Sequence, residues 1–171
     1  MINFDILIGG VAMKQFNLSS YHYKLHCLLV KWNVEVKQVD FAELGIYDVY
    51  GASIMDGGKK TIIVDQNLDK YQTNFTIAHE LGHIVLGHVD LQKNKNIMHL
   101  SLDDFWENQA DEFALQLLVP QQILSSLLEM KYSYQYIANF FEVPEIQVAR
   151  RIRQIRTNYL APDIFQIAEM A

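Results

Sequence analysis

The sequence has one cysteine, Cys27, among 171 residues. A single thiol excludes a disulfide-stapled scaffold and a Cys-based zinc cluster, and it fits a reducing compartment. We expect it to be a buried, inert thiol. No stretch approaches the ~18 continuous apolar residues of a membrane span. Basic residues number 14 against 20 acidic, a net charge of -6, so broad nonspecific nucleic-acid binding is disfavoured. The start, Met1-Ile2-Asn3-Phe4-Asp5, carries an acid where a signal peptide needs basic residues. The expectation is an unexported, cytoplasmic protein without a membrane segment. Only three prolines occur, and none falls between Thr73 and His88, so nothing in that stretch breaks a helix.

The content that remains supports a substantial core, since half of the residues are hydrophobic. Apolar spacing from Leu18 to Trp32 predicts a helix bearing His22 and His26, read as surface or half-buried histidines. Residues 33–41 read as a strand, with a further short strand considered at Ile6 to Ile8. Two β-branched runs, Ile46 to Met55 and Lys60 to Asp65, flank Asp56-Gly57-Gly58-Lys59 and predict a hairpin. The fold class is therefore α+β. A small antiparallel sheet is expected to pack on the N-terminal helix and on the helix that follows, with its edge able to take an extended peptide as an added strand.

That following helix holds Phe75-Thr76-Ile77-Ala78-His79-Glu80-Leu81-Gly82-His83. Residues four apart on a helix differ by about 40° of rotation, so His79 and His83 share a face and can share one metal ion. Glu80, about 100° round from His79, stands where a general base must be to take a proton from a water held by that ion. Thr73 is the expected N-cap, and Ile77, Ala78, Leu81, Ile84 and Val85 form the core side. Gly82 leaves room for a close neighbour.

A catalytic zinc takes three protein ligands and leaves one position open. The longer His-Glu-x-x-His-x-x-Gly-x-x-His pattern fails, because its last two fixed positions are Leu86 and Val89. The third ligand is instead expected from a second helix, Leu102 to Val119, entered after a polar linker at residues 90–96 and stopped by Pro120. On it, Glu107 and Asp111 share a face. Glu107 would complete one zinc ion per chain, and Asp111 would accept the second ring N–H of a ligand histidine. Glu112 is the second choice for the ligand. Tyr71, His88 and His99 are considered, without assignment, for steadying the oxyanion.

His79-Glu80-x-x-His83 with Glu107-x-x-Ala110-Asp111 resembles the gluzincin metallopeptidases, the thermolysin group. More closely, the His79 helix, the Gly51-Ala52-Ser53 hairpin and Glu107 through Leu117-Leu118-Val119-Pro120 are similar to the ImmA/IrrE family, over roughly residues 45 to 155. The family usually has Met where this chain has Val119. The resemblance implies a zinc endopeptidase that cleaves a transcriptional repressor, often of a mobile element or prophage, and so relieves repression.

Beyond Pro120 the pattern predicts helices at Gln121 to Met130, Tyr134 to Phe141 and Glu145 to Arg156. Residues 1–120 are expected to form the metallopeptidase core and residues 121–171 a helical, helix-turn-helix-like segment packed on or appended to it. All four arginines lie in the last of these helices, and residues 131–160 carry a net +3 that leaves -9 for the rest. Arg150, Arg151 and Arg153 are candidates for docking a protein partner, ahead of a merely solvated face. The alternative from another class is a DNA-binding regulator whose metal site is structural or sensory.

Overall fold

The computed structural model describes residues 22–89 and 100–157, with the backbone alone at residues 100–103. Expectations on the strand at residues 6–8, the helix before residue 22, the linker at residues 90–96 and His99 lie outside these residues. Among the described residues the elements, in order, are α1 (Tyr23–Lys31), β1 (Val34–Val39), β2 (Gly51–Asp56), β3 (Lys59–Asp65), α2 (Lys70–Val85), α3 (Leu100–Leu118), α4 (Gln121–Glu129), α5 (Tyr134–Phe141) and α6 (Glu145–Arg156). None of the described helices is long and apolar enough to cross a membrane.

The α+β class holds, and the sheet is mixed. β2 and β3 form the expected antiparallel hairpin, closed by Gly57 and Gly58, both at positive φ. Two such residues make a turn whose twist matches that of the flanking strands. β1 instead pairs with β3 in parallel, giving the order β1-β3-β2. Residues 40–50 carry the chain from β1 to the far edge; Ile46 to Tyr50, expected in a strand, belong to this connection. Asp40 organises the connection, accepting from the backbone N–H groups of Ala42 and Glu43 and from the side chains of Gln66 and Asn67. Central β3 buries Ile62 and Val64 against α2.

α2 starts four residues earlier than Thr73 suggests. Asp69 is its N-cap, accepting from Tyr71 N and Gln72 N, while Gln72 Oε1 accepts from Asp69 N. This reciprocal capping box satisfies backbone donors that the first turn leaves open. Thr73 lies inside the helix and donates from Oγ1 to the carbonyl of Asp69. Along the helix Ile77, Ala78, Leu81, Ile84 and Val85 are all buried, as their spacing predicts.

Gly82 sits where α2 meets α3. A Cβ there would lie 3.1 Å from Ala110 Cα and 3.2 Å from Phe113 Cδ1, so the absent side chain sets the separation of the two helices. Helices α4 to α6 contribute Leu124, Ile137, Val148 and Ile152 to the same hydrophobic cluster as Leu25, Ile62, Leu81 and Leu115. The last turn of α5 is also a polar anchor. Asn74 Nδ2 donates to Glu142 O at 3.0 Å, and Lys70 pairs with the Glu142 carboxylate at 2.6 Å.

His22, expected at the surface or half-buried, is fully buried beside this anchor, its Nε2 3.0 Å from Phe141 O. Burial pushes its pKa down, opposed by the Phe141 carbonyl and the nearby Glu142 charge. Above pH about 6.5, the ordinary value of the unfolded ring, neither state is charged and the group is silent. Below it the unfolded chain takes up a proton that the folded ring resists, so stability is lost on acidification. His22→Gln, which can keep the donor to Phe141 O, is expected to flatten the fall in melting temperature between pH 7 and pH 5.5. Parallel melting curves for the two proteins across that range would refute this account. Cys27 also departs from expectation and is exposed.

Candidate metal centre

The α2–α3 contact brings three donors to one point. The Nε2 atoms of His79 and His83 are 3.1 Å apart. Glu107, from α3, places Oε2 3.0 Å from His79 Nε2 and Oε1 3.3 Å from His83 Nε2. One ligand atom from each of the three residues can be chosen so that all lie within 4.8 Å of one another. Two imidazole nitrogens and a carboxylate oxygen match the donor chemistry of an open, three-ligand metal site, so these residues fit the ion that the motif implies.

Protonation follows the same geometry. Burial alone would lower the His79 pKa, but hydrogen bonds to Asp111 and Glu107 win and raise it to about 9. Glu107 is held well below the carboxylate range, first by its hydrogen bonds to His79 and His83. The negative field that keeps a proton on His79 is one that would also favour a cation, and metal binding at such a site releases protons.

Around the donors stands a supporting ring. His79 Nδ1 donates to Asp111 Oδ1 at 2.9 Å, the contact expected from the four-residue spacing of Glu107 and Asp111. The other Asp111 oxygen pairs with Arg150 Nη1 at 2.7 Å. His83 Nδ1 lies 3.0 Å from His88 Nδ1, and His88 Nε2 lies 3.1 Å from Gln109 Oε1. The His88 ring stacks on Trp106 with 5.6 Å between centroids.

Glu80 lies on the open side. With Gly51, Ala52, Ser53, His83, Val89 and Glu107 it lines a cleft of about 210 Å³. Burial raises its pKa above the usual glutamate range, partly offset by the positive potential of His79 and His83 and by a hydrogen bond from Ser53. Gly51 lets β2 approach this helix, since a Cβ there would meet Thr76 Cγ2 at 2.5 Å and Glu80 Cγ at 3.2 Å.

The sequence-derived residues His79, Glu80, His83, Glu107 and Asp111 thus converge. The arginines do not form one docking face. Arg150 is turned onto Asp111, and Arg151 is buried, donating from Nε to Val119 O at 3.3 Å; Arg153 is exposed. Glu112 is buried beside Gln116; burial raises its pKa, partly offset by the Gln116 hydrogen bond and the Arg151 charge, and it is absent from the ligand cluster. Tyr71 points to Asn139 at 3.4 Å. His88 stands behind His83 and is absent from the cleft lining. A helix continuous through His88 would point this ring away from His83; α2 instead ends at Val85, and Gly87 at φ +75° turns the chain back. That glycine was the available signal.

A crossed pair of helices carrying His-Glu-x-x-His and a facing glutamate, beside an edge strand, defines the class as a metallopeptidase. The model of the IrrE N-terminal-like domain, peptidase family M78, matches residues 35–153, and the chain belongs to this ImmA/IrrE family of metallopeptidases. It is 24% identical over 132 residues to "Uncharacterized immunity region protein 2" of Bacillus phage phi105, covering 75% of this chain and 73% of the phage protein. It is 36% identical over 98 residues to "Metallopeptidase ImmA" of Bacillus subtilis (strain 168), covering 55% of this chain and 56% of that protein.

Proposed function

We propose that this chain is a cytoplasmic zinc-dependent endopeptidase that cleaves a transcriptional repressor of a mobile element or prophage and so relieves repression. The observation that carries the reading is the convergence of His79, His83 and Glu107, with Glu80 at their side in a cleft. In this reading those three residues hold one zinc ion, which when bound polarises the scissile carbonyl and acidifies water. Glu80, more basic than an ordinary glutamate, takes the proton at its carboxylate and delivers it to the leaving amine. Asp111 fixes His79 with the proton on Nδ1, so that Nε2 faces Glu107. α2 and α3 supply this machinery, and the helices α4 to α6 follow it, with Arg150 of α6 bracing Asp111.

The repressor as substrate rests on the family and on two relatives, one printed as an immunity region protein of a phage and the other as the metallopeptidase ImmA. The DNA-binding alternative has less to stand on, because Arg150 is paired with Asp111 and Arg151 is buried. Arg153 stays available for a protein partner.

The test is to incubate or co-express the protein with the repressor encoded by the neighbouring gene and to read fragments by mass. Discrete fragments are expected with zinc and none with chelator. A repressor left intact by the zinc-loaded protein under both regimes would overturn the assignment of substrate.

A further inference from the structure

Asp111 is gripped at both of its oxygens, and the two partners belong to different parts of the fold. Oδ1 meets His79 Nδ1 of α2 at 2.9 Å, and Oδ2 meets Arg150 Nη1 of α6 at 2.7 Å. A carboxylate turns readily about its last torsion, so one contact fixes a point and leaves the plane free. The second contact fixes the plane. Arg150 is prepared for this role, because Val148 and Ile152, two residues to either side, are buried in the core, and Nη1 also donates to Gln147 Oε1 at 3.3 Å. Its neighbour Arg151 donates to Val119 O, so α6 holds α3 at two points eight residues apart, about 12 Å along the helix. In the turn before α6, Glu142 takes Asn74 and Lys70 of α2. The segment thus spans both helices that carry the donors.

We infer that Arg150 is a positioning residue of the metal centre: through the Asp111 carboxylate it holds the His79 ring in place for the ion, which makes α6 a working part of the centre and not a separate docking or DNA-reading helix. The pair adds little to stability, since its side chains are 42% and 20% exposed and water screens such ion pairs. Charge acts in the opposite direction to position. A guanidinium near the site disfavours a cation, so removing it would raise metal affinity if only the field mattered; loss of the grip on Asp111 lowers it. The sign of the change separates the two effects. The inference rests on the reading of His79, His83 and Glu107 as metal ligands.

The test is the zinc affinity of the full chain, measured by chelator competition, with melting curves in parallel. Arg150→Met, which keeps a long stem and removes the guanidinium, is expected to weaken zinc binding by about 10-fold, the lower end for a residue acting through a ligand's partner, with little change in melting temperature. Arg150→Lys keeps the charge and loses the planar fork, and should fall between wild type and Arg150→Met. In an Asp111→Ala background, already weakened, Arg150→Met should cause no further loss, because residues that act as one unit are not additive. Arg156→Met, which removes an exposed arginine of the same helix, should leave the affinity unchanged. Unchanged or raised affinity in folded Arg150→Met would overturn the inference. So would an equal loss in the Asp111→Ala background or in Arg156→Met. Wild type that binds no zinc would overturn the ligand reading and this inference with it, whereas the other outcomes count against Arg150 alone.

Discussion

Glu80→Gln is expected to keep zinc in the site and to lower repressor cleavage by about 10²–10⁴-fold, the usual contribution of a general base. Glutamine preserves the shape of the side chain and can still accept from Ser53, a contact that Glu80 makes. It cannot take up a proton, and that is the one property removed. None of the proposed ligands is touched, so metal content should remain at one ion per chain. The substitution carries a second expectation of opposite sign. Burial raises the Glu80 pKa above its ordinary value, so at neutral pH the folded metal-free protein bears a charge that it accommodates less well than the unfolded chain. Stability from such a group is fully present below the unfolded value and is lost as pH rises from there through the raised folded value. Removing the charge should therefore raise the melting temperature of the metal-free protein at pH 7. A more stable protein that binds zinc and no longer cleaves is the pattern of a residue kept for chemistry at a cost to the fold. Near-wild-type cleavage by the variant would remove Glu80 from the role of base.

Elements of local origin were legible in the sequence. The face shared by His79 and His83, the pairing of Glu107 with Asp111 and the Gly57-Gly58 turn each follow from spacing within a few residues. The α4 to α6 boundaries fall within a residue of where their caps and prolines suggest. What escaped depends on partners distant in the chain. Whether β1 pairs in parallel or antiparallel is decided by the route of residues 40–50, and no residue of β1 announces it. Arg150 reaches Asp111 only because α6 folds back on α3, so a charge that looked free in sequence is committed in space. His22 is buried by α5, more than a hundred residues away. The helix start is a different failure, since Asp69 and Gln72 form a local capping box that the attractive Thr73 concealed.

Gly82→Val is expected to cost about 3 kcal/mol or more of stability, at the upper end for an overpacked core, and to weaken metal binding with it. In isolation the change would help, because glycine is worth about 1 kcal/mol less than alanine inside a helix. The crossing reverses the sign. A Cβ at residue 82 would lie 3.1 Å from Ala110 Cα and 3.3 Å from Ala110 O, and both are backbone atoms of α3. They cannot swing aside as a flexible side chain would; α3 must move as a body, and the branched methyl groups of valine enlarge that displacement. Glu107 lies three residues before Ala110 and Asp111 one after it, so the shift is transmitted to the third donor and to the brace on His79. Gly82→Ala should show the same effects on a smaller scale, its helical gain offsetting part of the clash. Denaturant midpoints at constant m-value report the stability term, and zinc competition reports the geometry. If Gly82→Val matched wild type in both, the close crossing would not be what joins the two halves of the site.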